Sequence, residues 1–432
     1  MIDPTFRILA KDHCISNNTR LTRINNNDLI LGPSGAGKTR GYVKPNLLQD
    51  NGSVIIADTK GSLLQEVGGD MAARGYRIVN LDFTDLLGSH GYNPLDYISI
   101  DPRTGRYSTQ EIMTIAACLS PVETTKDPFW EQSAQMYLSV LIGYVMECLP
   151  EEEHSLEYVA KLYQQMESDA FDLLFQELHT ECPDSEIFRS YQMLSSNRKV
   201  TTTYNCIRMF LNKTLEPLSF DGICQSYRNP NRVDFTALGR EKTAVFLTVS
   251  DTDRSMDKLV NLFYTQAMHI LCTSADKDYP DHRLPVPVRF ILDDFATNAC
   301  IPDFDKLIAV IRSREIYVSI ILQSISQLDA LYGPDRAMTI VNNCDNCLYL
   351  GGQDVKTASY IAVKAHRTTD SILDLPLDQA YLFTRGDKPR RVQKFDLTTH
   401  PRYAFLPEAN PGRQEPAAPT GRPNAAAGHT AL

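Results

Sequence analysis

The chain has 432 residues, 43% of them hydrophobic and 22% charged, which supports two or three ordinary globular domains. A net charge of −10 excludes a uniformly basic nucleic-acid coat while leaving room for a local basic channel. No apolar stretch reaches the ~18 residues that span a bilayer, and the ten cysteines show no disulfide-framework spacing, so a reducing, cytosolic compartment is the simplest reading.

Residues 1–27 are polar and read as a short lead-in. Asp28 to Leu31 is an apolar run of strand type. It feeds directly into Gly32-Pro33-Ser34-Gly35-Ala36-Gly37-Lys38-Thr39, a complete G-x-x-x-x-G-K-[ST] loop. Glycines let such a loop curl so that successive N–H groups face a phosphate. Lys38 would reach the β- and γ-phosphates of ATP, and the Thr39 hydroxyl would ligate Mg²⁺. Arg40 to Leu48 can start a helix whose N-terminal dipole adds to phosphate binding, although Pro45 would end or kink it. The nucleotide-binding set is therefore Gly32, Pro33, Ser34, Gly35, Ala36, Gly37, Lys38, Thr39 and Arg40.

Ser53 to Asp58 and Arg77 to Asp82 read as strands, with helical spacing from Leu63 to Arg74 between them. This alternation predicts a mostly parallel sheet covered by helices on both faces, an α/β fold. From Ser108 to Leu215 strand-like runs nearly vanish, and apolar residues recur at three and four positions (Ile112, Ile115, Ala116, Leu119; Tyr158, Leu162, Met166). That block reads as an inserted all-α domain of five or six helices, with Trp130 as a core anchor and Met136 to Met146 as a buried helix. Strands return at Ala244–Val249, Val288–Asp293, Val318–Gln323, Cys347–Leu350, Ala380–Phe383 and Val392–Phe395, with helices at 256–272, 304–313, 325–331 and 354–364 between them. Residues 28–107 and 216–406 thus form the nucleotide-binding domain, and 407–432, rich in Pro, Ala and Gly, is expected to be disordered.

The strand 288–293 ends in two acids. Asp293 would orient Mg²⁺ or its water, and Asp294 could act as general base on the attacking water. The next strand ends in Gln323, placed to bond both that water and the γ-phosphate. Arg312 and Arg314 lie between acids and glutamine, and either could be the arginine that a ring ATPase supplies to its neighbour's transition state. Asp58-Thr59-Lys60-Gly61 follows the strand after the loop and either shapes the site or caps a turn. Cys344 and Cys347 read as a pair in or beside a buried strand, and Arg385 to Arg391 as a solvated basic hairpin. The nine histidines show no metal-ligand spacing.

The loop, Asp58-Thr59-Lys60-Gly61, Tyr92-Asn93-Pro94-Leu95, Phe129-Trp130, Asp293-Asp294-Phe295-Ala296 and Leu322-Gln323-Ser324-Ile325-Ser326-Gln327-Leu328, in this order, resemble the TraG/TraD coupling proteins of conjugative type IV secretion systems. Tyr349-Leu350-Gly351-Gly352 onward to Lys394-Phe395-Asp396 is similar to the forms from Gram-positive bacteria. The resemblance covers about residues 28–400. It implies a RecA-like P-loop motor of the FtsK/HerA superfamily, a homohexamer at the inner face of the cytoplasmic membrane. Such a motor binds the relaxase–DNA complex and feeds DNA or protein to the secretion channel. It also implies that the helical insertion meets the relaxosome and that Arg312 is the arginine acting in trans. Two departures stand out. The family usually carries Asp-Glu where this chain has Asp293-Asp294, and only residues 1–31 precede the loop, so the usual membrane anchor is expected to be a separate subunit, unnecessary or cut away. The alternatives are a nucleotide-switched substrate-receptor adaptor with weak hydrolysis, or another DNA translocase of the superfamily.

Overall fold

The computed structural model describes residues 3–122, 126, 128–196, 200–250, 252–295 and 300–409. Its strands in chain order are β1 (Phe6–Ala10), β2 (His13–Ser16), β3 (Asp28–Leu31), β4 (Ser53–Ala57), β5 (Arg77–Asp82), β6 (Thr243–Thr248), β7 (Val288–Leu292), β8 (Ile316–Leu322), β9 (Asn346–Tyr349), β10 (Gln379–Thr384) and β11 (Arg390–Gln393). Nine of them build one sheet in the order β11-β10-β9-β3-β8-β7-β4-β6-β5. Neighbours from β9 through β5 are parallel, whereas β10 runs antiparallel to both β9 and β11. Every residue of β3, β4, β6, β7, β8 and β9 is buried. This explains why these strands appear in the sequence as unbroken apolar runs rather than alternations.

Among the described residues six α-helices follow β5 in the stretch expected to be helical: Thr109–Leu119, Phe129–Cys148, Leu156–Gln164, Asp169–Glu181, Glu186–Ser195 and Thr201–Leu215. The long helix Phe129–Cys148 is buried along most of its second half. Gly143 lets Ile187 press against its backbone, since a Cβ there would meet the Ile187 side chain at 2.2 Å. Trp130 packs against the edge of the core. Among the described residues no helix is long and apolar enough to cross a membrane.

Three expectations need correction, and one helix is additional. The polar lead-in contains the hairpin β1–β2, and Ile8, Leu9 and Ala10 are core residues; its buried strand is only five residues long and carries Arg7, so apolar periodicity hides it. The helix after the loop starts as a π-helix, Thr39–Val43, and becomes α-helical at Lys44–Leu47, with Pro45 in its first turn. Pro45 has no N–H to offer an i−4 carbonyl, which favours a widened turn over a break. A helix at Pro334–Asn342 also went unpredicted. Finally, Leu406 is buried and Pro407–Ala409 forms a 3₁₀ turn against the body; the remainder of the expected disordered tail, 410–432, lies outside the described residues.

Candidate nucleotide site

The phosphate-type loop connects β3 to the π-helical turn and sits at the carboxyl ends of the parallel strands. Gly35 and Gly37 adopt φ of 76° and 90°, which an L side chain disfavours, and the space above both is open. Gly32 is held close to the next strand's end: a Cβ there would come within 2.9 Å of the Leu350 Cβ. Its N–H donates to Leu322 O at 3.0 Å. Pro33, Ser34 and Ala36 complete the curl, with Ala36 N–H donating to Pro33 O at 3.1 Å.

Lys38 is buried, and its ammonium donates to Gly32 O at 2.9 Å and Pro33 O at 3.2 Å. Thr39 Oγ1 donates to Asp293 Oδ2 at 3.0 Å. Asp294 Oδ1 lies 3.9 Å from Lys38 Nζ. Because β8 lies between β3 and β7 in the sheet, Gln323 emerges between the loop and the two acids. Its side chain is exposed, and its N–H is held by Gln327 Oε1 at 2.9 Å. The fold therefore brings Lys38, Thr39, Asp293, Asp294 and Gln323 to one place.

Burial, reinforced by the charge on Asp294, pushes the Asp293 carboxyl up to about 6, against the opposing pull of Thr39 and Lys38. A buried carboxylate beside a hydroxyl is the donor set that Mg²⁺ accepts, with waters and phosphate oxygens filling the remaining positions. A buried ammonium resting on its own loop's carbonyls, under an open curl of glycines, fits a triphosphate. Asp294 adopts φ 47°, and its N–H donates to Asp293 Oδ1 at 3.1 Å. This left-handed conformation is tolerated several-fold better by Asp than by longer acids.

Arg312 does not reach this place within the chain. It precedes β8, and with Thr19, Arg20, Arg23, Arg283 and Arg314 it lines a groove of about 720 Å³ at the amino ends of the strands. β8 alone separates the two ends by roughly 20 Å at ~3.3 Å per residue. Arg314 is ion-paired to Asp276 at 2.7 Å, which leaves Arg312 the better placed of the two to reach outward. Asp58 caps a turn, accepting from Leu63 N–H at 2.6 Å. Cys344 and Cys347 are buried free thiols, and among the described residues no cluster of three His, Cys, Asp or Glu could hold a metal.

Two supports of the site were not anticipated. Lys394, just past the end of β11, donates to Ala36 O at 2.9 Å and Leu350 O at 3.0 Å, stapling the loop from more than 350 residues away in sequence. Beneath the loop, Asp28 sits 2.7 Å from Arg7 and 3.4 Å from Arg289, and accepts from Tyr42 at 2.6 Å and Asn346 at 2.9 Å. Burial, then the Arg7 cation, lower the Arg289 guanidinium below its usual value. The network ties β1, β3, β7 and the loop's helix together. Lone basic and acidic residues in apolar strands were its only signal.

The model of the family described as Type IV secretory system Conjugative DNA transfer matches residues 14–372. VirD4 of Rhizobium radiobacter is 25% identical over 363 residues, 82% of this chain and 50% of that protein. VirD4 of Rhizobium rhizogenes is 24% identical over the same share of this chain and 51% of its own. The chain thus spans about half the length of these curated relatives. The plasmid coupling protein TrwB in complex with the non-hydrolysable ATP analogue ADPNP superposes with a TM-score of 0.62 at 17% identity, covering 90% of this chain and 89% of that one. VirB4 of Thermoanaerobacter pseudethanolicus superposes at 0.54 and 15% identity, over 91% and 96%. The fold is a RecA-like P-loop fold shared with these proteins, and the chain belongs to the type IV secretory system conjugative DNA transfer family.

Proposed function

We propose that this chain binds and hydrolyses ATP with Mg²⁺ and works as the coupling motor of a conjugative secretion system. The observation that carries this reading is the Thr39–Asp293 hydrogen bond beside Lys38, which assembles residues 254 positions apart into one phosphate-and-metal cradle. TrwB solved with ADP and Mg²⁺, a structural neighbour at 17% identity, supports the choice of nucleotide.

ATP with Mg²⁺ supplies the scissile phosphoanhydride. Lys38 would leave the loop carbonyls to neutralise the phosphates, and Thr39 and Asp293 would hold Mg²⁺, which would offset the charge building on the phosphate oxygens. Asp294 takes the proton of the attacking water, Gln323 holds that water, and Arg312 of a neighbouring copy completes the charge neutralisation. This last role calls for a ring, which in this reading is a homohexamer working at the inner face of the membrane. The helical stretch 108–215 acts as a separate domain that receives the relaxase–DNA complex. Substrates then pass to channel subunits.

A nucleotide-switched receptor with slow turnover is the second reading. It is favoured by Asp294, one methylene shorter than the usual glutamate. ATP turnover measured against protein concentration, with and without single-stranded DNA, separates the two. The motor gives a rate that rises with assembly and with DNA and disappears in Lys38→Ala, whose nucleotide affinity falls roughly a hundredfold. DNA-indifferent, slow turnover with tight ATP binding supports the receptor, and absence of nucleotide binding overturns both.

A further inference from the structure

The chain does not leave the body after β11. Lys394 reaches the loop, and Phe395 O passes 3.5 Å from the position a Cβ on Gly41 would take. Leu397 and Leu406 then bury in the same apolar cluster as Tyr42, Val43 and Leu47, and Arg402 holds Asp70 at 2.7 Å. This strap carries Glu408 back to the turn that follows the loop. There its Oε2 lies 2.8 Å from Arg40 Nη1 and 3.9 Å from Lys44 Nζ. Lys44 has a second partner, Glu66, at 2.8 Å.

Arg40 directly follows the Lys-Thr pair, so its side chain is the next cation along the chain from the phosphate cradle. The pair with Glu408 is partly solvated, with 51% and 28% of the two side chains exposed, and exchange to another anion is inexpensive. Resting on the ATP reading above, we propose that the strap is a latch on nucleotide affinity. Glu408 is a positioning residue that occupies Arg40 until the phosphates of an incoming nucleotide draw the guanidinium away. The carboxylate opposes binding twice, by engaging Arg40 and by adding negative charge near the triphosphate. Leu397 and Leu406 are buried and Arg402 is paired to the buried Asp70, so the strap's course does not depend on this one pair.

Titration of the full chain with a fluorescent ATP analogue tests the latch. Glu408→Gln, isosteric and uncharged, is expected to bind about two- to fivefold more tightly at low salt, with the gain fading at high ionic strength and the melting temperature unchanged. Arg40→Gln is expected to bind more weakly, and adding Glu408→Gln to it to restore less than half of the single-variant gain. A merely structural strap would shift affinity equally in both backgrounds, which overturns the proposal, as does unchanged or weaker binding by Glu408→Gln. Binding that is lost in Lys38→Ala yet unaffected by Glu408→Gln removes the latch alone. A wild-type chain that binds no nucleotide removes the ATP reading with it.

Discussion

At the carboxyl ends of its parallel strands the sheet presents Lys38, Thr39, Asp293, Asp294 and Gln323, whereas at the amino ends it presents a groove lined by Arg20, Arg23, Arg283, Arg312 and Arg314. The first end combines buried Lys38 and Asp293, partly exposed Thr39 and Asp294, exposed Gln323 and an open curl of backbone. The second is shallow and cationic, with Arg283 and Arg314 already paired to Glu315 and Asp276. One strand length keeps them apart within a chain. On the proposed reading, the acids and the loop hold the nucleotide within one chain, while an arginine from the opposite end reaches it from a second copy.

The sharpest way to break this comparison is to remove Arg312. If it acts across a subunit boundary, Arg312→Ala lowers kcat by about a thousandfold with nucleotide affinity unchanged. Mixing Arg312→Ala with Lys38→Ala subunits then restores part of the turnover, because a mixed interface can combine an intact loop with an intact arginine. Unaltered kcat in steady-state assays would show that the cationic groove plays no part in the chemistry.

A second variant sharpens the acidic end. Asp294→Glu extends the carboxylate by one methylene toward the attacking water, and a misplacement of ~1 Å can cost about a hundredfold in rate. The same residue sits at φ 47°, where glutamate is less at ease, so a rise in turnover should come with a loss of about 1 kcal/mol in stability. Turnover that stays flat in the Asp294→Glu chain means the shorter acid is not limiting.

The smallest effect concerns protons. Asp293 titrates near 6, above its ordinary value of 3.8, because burial and Asp294 disfavour its charge. The folded chain therefore holds this proton more tightly than the unfolded chain. The stability it contributes is present below about pH 4 and lost as pH rises toward 6. Asp293→Asn should consequently stabilise the metal-free protein above pH 6, on the order of 2 kcal/mol, while abolishing Mg²⁺-dependent nucleotide binding. Melting curves between pH 4 and 8 read the first effect and titrations with and without Mg²⁺ the second.

Much of the fold was legible from local pattern. Six central strands announced themselves because both faces of the sheet are covered there, which demands continuous apolar runs such as Val288–Leu292 and Ile316–Leu322. The loop was legible because each of its positions is dictated by backbone geometry and phosphate chemistry. The hairpin β1–β2 was not, since its polar context masks a buried strand whose single arginine finds its carboxylate, Asp28, only across the fold.

The amino-acid sequence by itself determined the parallel α/β architecture, the helical stretch after β5 and the residue types of a nucleotide cradle, because these depend on neighbours within a few positions. Only the tertiary structure decided that β8 inserts between β3 and β7, that Lys394 and Glu408 return to the loop from the far end of the chain, and that Arg312 faces away from Lys38. Strand order and long-range ion pairs are settled by how the whole core buries its apolar surface, and no short window of residues encodes that balance.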